Sequence, residues 1–189
     1  MTLYPQNCVI PPMLLKYLLV VMLLMQTACT GIPAGLQPVE PFDVNRYLGK
    51  WYEIARLDHR FERGLTDITA EYSMREDGGI RVMNSGYDAK TGKRKQAEGR
   101  AYFIDRPDIG SLKVSFFGPF YGGYHIIELD KNAYQYAMVT GPDRDYLWIL
   151  ARTPTLDPAL LENLIRQGKD HGFAVDELIF TEHTQSPNN

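Results

Sequence analysis

The stretch Gly49-Lys-Trp-Tyr-Glu-Ile-Ala55 (GKWYEIA) sets a tryptophan two residues after a glycine, at the head of an alternating apolar run. A period of two marks a β-strand with one buried face. A large aromatic on the first rung suits a plug for whatever the strand helps to enclose. Its counterpart is Tyr146-Leu-Trp-Ile-Leu-Ala-Arg152 (YLWILAR), a run apolar on both faces that ends in arginine.

Outward from Trp51 the alternation recurs between turn signals, the mark of antiparallel strands. Strand A is expected over about Trp51–Leu57. In strand B (DITAEYSMRE), Ile68, Ala70, Tyr72 and Met74 take one face, and Thr69, Glu71, Ser73 and Arg75 the other. The DGG at Asp77–Gly79 is a hairpin turn into strand C, about Ile80–Tyr87. Strand D (AEGRAYFI) sets Ala97, Gly99, Ala101 and Phe103 together, and strand E (SLKVSFF) gives Leu112, Val114 and Phe116. Strands F, G and H are expected over about Gly123–Leu129, Tyr134–Thr140 and Tyr146–Arg152. Eight such strands on short loops close into an up-and-down barrel without a free edge, and a barrel of that size can hold one small ligand.

After strand H the period becomes helical. Asp157 is a fitting N-cap, Pro158 a first helical residue and Gly172 a stop. Leu160, Leu161, Leu164, Ile165 and Gly168 form one stripe. The helix therefore belongs on the outside of the barrel, over strand H. AVDELIFTE is a last short strand and HTQSPNN a polar tail. The expected fold class is all-β: an eight-stranded up-and-down antiparallel barrel with a C-terminal α-helix packed outside.

Strand A starts where strand H ends, at the bottom of such a barrel. There the Arg152 guanidinium can stack over the Trp51 indole, a contact worth about 0.5–2 kcal/mol, with Gly49 allowing the backbone a tight turn beneath. The plainer reading has Trp51 as ordinary core and Arg152 as a surface charge, and the physics of the sequence alone leaves both open.

The chain has 189 residues and a net charge of −3, which suits one domain plus a targeting segment and lends no support to nucleic-acid binding. The targeting segment is legible. From Met13, one lysine precedes an apolar run from Tyr17 to Met25, and small residues lead up to Cys29. This is the layout of a bacterial export signal, too short for a comfortable membrane span. Small residues directly before Cys29 resemble a lipobox, which makes that cysteine the acylated N-terminus of the mature chain, although Gln26 stands where the pattern usually has an aliphatic residue. An ordinary secretory signal or a retained anchor are the alternatives. MTLYPQNCVIPP carries no positive charge and two consecutive prolines, so Met13 is the expected start and Cys8 is not retained. The domain layout is a signal over 1–28, a flexible tether over 29–41, rich in Pro and Gly, the barrel over 42–182 and the tail over 183–189.

The inward faces give the candidate ligand-binding residues: Ala55, Ile68, Ala70, Tyr72 and Met74 from A and B, and Val82, Ala101 and Phe103 from C and D. Val114, Phe116 and Tyr124 come from E and F, and Val139, Tyr146 and Trp148 from G and H. Glu53 is the odd inward residue, since a buried carboxylate needs a partner, with Asn84 or water in view. At the mouth lie DHRFERGLT, the basic Lys90, Lys93, Arg94 and Lys95, and the aromatic FGPFYGGY, a setting for an amphiphile with a phosphate or carboxylate head. Loop charges are usually only solvated. The four histidines, His59, His125, His171 and His183, lack metal-ligand spacing, and no nucleophile elbow or phosphate loop is present. No metal, cofactor or catalytic residue is expected.

GKWYEIA resembles the Gly-x-Trp motif of the lipocalins. GPDRDYLWILAR resembles their second and third motifs, with Asp145 and Tyr146 before strand H and Arg152 at its end. ARLDHRFERGL and KVSFFGPFYGGY are similar to the bacterial branch of that family, related to apolipoprotein D. The resemblance runs from about Phe42 to Glu182. It implies a binder or carrier of lipid-like molecules without a cofactor, working as monomer or homodimer. It also implies an outer-membrane lipoprotein facing the periplasm, and Thr30 after the cysteine resembles the corresponding sorting signal. A fold-sharing enzyme and a structural envelope protein without a tight ligand are the competing classes.

Overall fold

The computed structural model describes residues 30–184. Cys8, the Met13 start, the export signal, acylation at Cys29 and the end of the polar tail therefore lie outside the described residues.

A short helix, α1 (Val44–Tyr47), leads into β1 (Gly49–Arg56), β2 (Leu65–Met74), β3 (Ile80–Asp88) and β4 (Arg94–Phe103). Then come β5 (Ser111–Phe117), β6 (Phe120–Leu129), β7 (Tyr136–Thr140) and β8 (Leu147–Ala151). Each strand pairs antiparallel with the next, β8 pairs with β1, and β1 pairs with β2, so the barrel closes. Helix α2 (Pro158–Asp170) is capped by Asp157, whose carboxylate accepts from the Leu160 N–H at 3.0 Å. A 3₁₀ turn (Val175–Glu177) and a two-residue strand, β9 (Ile179–Phe180), complete the order.

Two apolar clusters explain why β8 is apolar on both faces. Leu150 belongs to the barrel interior with Trp51, Tyr72, Val82 and Leu112, and Trp148 packs against it. Leu147, Ile149 and Ala151 belong to an outer cluster with Leu164 of α2. Gly168 lets the helix approach, since a Cβ there would stand 3.1 Å from Val175 and 3.5 Å from Leu147.

The bottom of the barrel is built as the stacked reading requires. Trp51 is completely buried, and the Arg152 guanidinium lies 3.9 Å from its ring centroid. The guanidinium also donates to three backbone carbonyls: Lys50 at 2.9 Å, Arg46 at 2.7 Å and Tyr134 at 3.2 Å. Gly49 has φ +91°, and its missing side chain faces the same guanidinium.

Three features depart from the pattern expected of the sequence. Residues 30–41 lie against the barrel as a strap instead of forming a loose tether. Leu36 and Val39 are buried, the Val39 N–H donates to Ile126 O and the Gly110 N–H donates to Val39 O. The Arg144 guanidinium donates to Ala34 O. Next, β1 bulges between Glu53 and Ala55, which pair with Leu150 and Ile149. One extra residue inverts the alternation beyond it. Lastly, β1 pairs with β2 only over Gly49–Tyr52. Nearer the mouth, β9 pairs with Ala55 and Arg56, the Asp67 N–H donates to Glu182 O and the Thr184 N–H to the Asp67 carboxylate. The C-terminal segment thus fills a split in the barrel wall.

Candidate ligand-binding site

The strands enclose a cavity of about 700 Å³, counting its open end. Its floor is tyrosine. Tyr72 and Tyr124 line it, the Tyr124 hydroxyl lies 2.8 Å from that of Tyr72 and 2.7 Å from that of Tyr47, and the Tyr47 ring rests 4.7 Å from Trp51. Burial raises all three phenols above the usual range, so they stay neutral hydrogen-bonding groups. Above the floor the walls are apolar, from Ile68, Ala70, Val82, Ala101, Val114 and Phe116 to Trp148. Gly99 does not widen the space, because the Phe116 ring lies over it, 2.8 Å from where a Cβ would stand.

One wall is polar. Glu53 and Glu62 line the cavity. Arg56 Nη1 donates to Glu53 Oε1 at 3.1 Å, and Arg56 Nη2 donates to Glu62 O at 3.1 Å. His59 Nε2 stands 3.0 Å from Glu62 Oε2, and the Trp148 indole N–H donates to that oxygen at 3.3 Å. Thr181, from the segment that fills the split, donates to Glu53 Oε1 at 2.5 Å. Burial, with Glu62 nearby, pushes the Glu53 carboxyl well above the usual range. Burial also acts to raise Glu62, but the nearby His59, with Glu53 and the Trp148 indole, outweighs it and holds Glu62 below. The two carboxyls of the wall are thus pushed in opposite directions, Glu53 toward the neutral form and Glu62 toward the charged one, beside the Arg56 guanidinium.

Nine of the residues singled out from the sequence face this cavity: Ile68, Ala70, Tyr72, Val82, Ala101, Val114, Phe116, Tyr124 and Trp148. Five stand elsewhere. Ala55 lies in the outer cluster, turned there by the β1 bulge. Met74 and Phe103 lie at the plugged ends of β2 and β4, Met74 exposed and Phe103 against Phe42. Val139 is wholly buried in the interior cluster without lining the space. Tyr146 stacks on Trp148 with centroids 5.9 Å apart, just before β8 begins. The Asp145 side chain is exposed and its backbone N–H donates to Asp143. Glu53 does face inward, but its partners are Arg56 and Thr181 rather than Asn84, whose Oδ1 is buried and unpaired. Arg56, His59 and Glu62 belong to the polar wall that the sequence does not reveal, since a charge at the end of strand A and two more in the charged loop after it carry no sign of burial.

Residues 42–183 match the model of a lipocalin-like domain. The chain is 53% identical over 154 residues to outer membrane lipoprotein Blc of Vibrio cholerae, covering 82% of this chain and 90% of that one. It is 33% identical over 156 residues to apolipoprotein D of Bos taurus, covering 78% and 80%. Among solved structures, insecticyanin of Manduca sexta superposes with a TM-score of 0.65 at 22% identity, over 82% of this chain and 88% of that one.

Proposed function

The chain belongs to the lipocalin family, and from that premise we propose that its barrel binds a single-tailed amphiphile, a fatty acid or lysophospholipid, with the tail inward and the head at the mouth. The observation that carries this reading is the shape of the cavity. It is sealed below by Trp51 and the tyrosines, open above, and lined by apolar side chains on every wall but the one that carries Glu53 and Glu62. An eight-stranded barrel is narrow, so one tail fits more easily than two. Lys90, Lys93 and Arg94 at the rim supply cations for a phosphate or carboxylate head. The same reading makes the protein an outer-membrane lipoprotein facing the periplasm, held by acyl chains on Cys29. The name carried by its 53%-identical relatives supports this, as does the lipobox-like run before Cys29.

The test is native mass spectrometry of the purified protein with identification of any co-purified lipid. It is followed by titration of delipidated protein with oleate, a lysophospholipid and a neutral retinoid-like compound. Saturable one-to-one binding of the first two, with a change in Trp148 fluorescence, is expected. Equal weak binding of all three without a tryptophan response refutes the reading.

A further inference from the structure

Six large apolar side chains are exposed among the described residues: Phe61, Met74, Phe117, Phe120, Ile179 and Phe180. They are not scattered. In up-and-down order the β1–β2, β3–β4, β5–β6 and β7–β8 connections share the open end. Phe61, 59% exposed, lies in the first of these connections. Phe117 and Phe120, 74% and 79% exposed, flank the tip of the β5–β6 hairpin. Ile179 and Phe180 lie beside Ala55 and Arg56, at the mouth end of β1. Only Met74 belongs to the plugged end. Scattered exposed apolar residues need no explanation, but a gathering of them on one face does.

The strap gives the face an orientation. Its first described residues lie on β6: the His125 Nε2–H donates to Gly31 O at 2.9 Å while Nδ1 accepts from Ser111 Oγ at 2.8 Å. Gly31 O also stands 3.1 Å from where a Cβ on Gly123 would be. Gly123 is three residues from Phe120, roughly 10 Å along a strand. Gly31 therefore lies on the wall that carries the Phe117–Phe120 hairpin. The charges agree with this orientation. Lys90 and Lys93 occupy the loop between the two phenylalanine-bearing ones and Arg94 opens β4 beside it, and no carboxylate among the described residues lies within ion-pair distance of them. The acidic Asp143 and Asp145 sit on the opposite loop.

We propose that the open end docks on a phospholipid bilayer, with Phe61, Phe117 and Phe120 entering its interface, so that the cavity opens onto the membrane. The face is distinct from the ligand cavity and does not need it. Acylation of Cys29, part of the functional reading proposed for the cavity, would reinforce the docking without creating it.

The mature chain, residues 29–189, with Cys29→Ser separates the face from the anchor. The probe is vesicles of phosphatidylethanolamine and phosphatidylglycerol, three to one, with and without acyl chains brominated near the head. Tryptophan at position 120 (Phe120→Trp) is expected to be quenched by the brominated vesicles relative to the parent, and tryptophan at position 74 (Met74→Trp) is not. Phe117→Ser with Phe120→Ser should lower vesicle partitioning at least tenfold, while Met74→Ser leaves it unchanged. Oleate titration of the parent in free solution reports the cavity alone, so the two readings fail separately. Equal quenching at positions 74 and 120, or unaltered partitioning of the double variant, overturns the docking proposal.

Discussion

Removing Arg152 tests the plug most directly, because it supports the floor of the barrel in two separable ways. Its guanidinium stacks on Trp51 at 3.9 Å and donates to three carbonyls from three segments. Each hydrogen bond is worth about 0.5–1.5 kcal/mol net, and the two nearest solvent fall at the low end, because their carbonyls regain water once the side chain is gone. Together with the stack, at about 0.5–2 kcal/mol, Arg152→Ala should cost about 2–4.5 kcal/mol. Trp51→Ala should cost about 3–5 kcal/mol, as large aromatic truncations in cores do. The two losses are thus comparable, whereas a stack alone would make the arginine much the lesser. Urea unfolding of the two single variants and the double variant, followed by circular dichroism, gives the coupling. Only the stack is shared, so the double variant should be more stable than the sum of the singles predicts by about 0.5–2 kcal/mol. A coupling under about 0.3 kcal/mol, at unchanged m-values, is indistinguishable from additivity and would refute the stack as an energetic contact.

Gly49→Ala isolates backbone strain at the same place: with φ +91° and a new Cβ in ordinary contact at 3.5 Å from Arg152, the loss in urea stability should be about 1–2 kcal/mol, and no loss would contradict the left-handed turn. Trp148→Ala should weaken oleate binding, and Lys93→Glu or Arg94→Glu should weaken anionic ligands more than neutral ones; equal effects on both classes in the titration would remove the rim from head recognition. Glu53 bears on pH. Its folded carboxyl holds a proton that the unfolded chain has lost, so stability should fall as pH rises from the unfolded value near 4.3 toward the raised folded value. Urea midpoints of Glu53→Gln should lack that fall, and parallel curves for variant and wild type would show that Glu53 titrates normally.

The barrel could be read from the chain because its information is local. Period two gives the strands, the shift to a helical stripe at Leu160, Leu161, Leu164 and Ile165 gives α2, and β8 advertises its two covers by being apolar on both faces. Alternation fixes which face a residue occupies but not how deep it lies. Met74 and Phe103 illustrate this: each continues the inward rhythm of its strand, and each falls at the plugged end. Ala55 shows the other failure. A single bulged residue after Glu53 inverts the face of the residues beyond it, and nothing in GKWYEIA marks where the extra residue sits.

The polar wall was illegible for a stronger reason. His59 and Glu62 read as part of a solvated loop and Arg56 as the polar end of strand A, which they would be if β1 stayed paired with β2 to its end. Instead the two strands part after Tyr52 and Thr69, and the C-terminal segment enters the gap, bringing Thr181 to Glu53 and His183 to the Glu53 carbonyl. Closing the wall in this way keeps water from the carboxylate side, and that burial is what raises the Glu53 carboxyl above its usual range. The electrostatics of the cavity therefore depend on burial by a segment more than a hundred residues away in the chain, which no local pattern can encode. A truncation after Phe180 should show the dependence: with Thr181 to Thr184 gone, water reaches Glu53, its carboxyl falls back toward an ordinary value, and the stability loss with rising pH disappears even though every residue of the wall is still present. Retention of that pH dependence in the truncated chain would mean that the loop, and not the C-terminal segment, seals the wall.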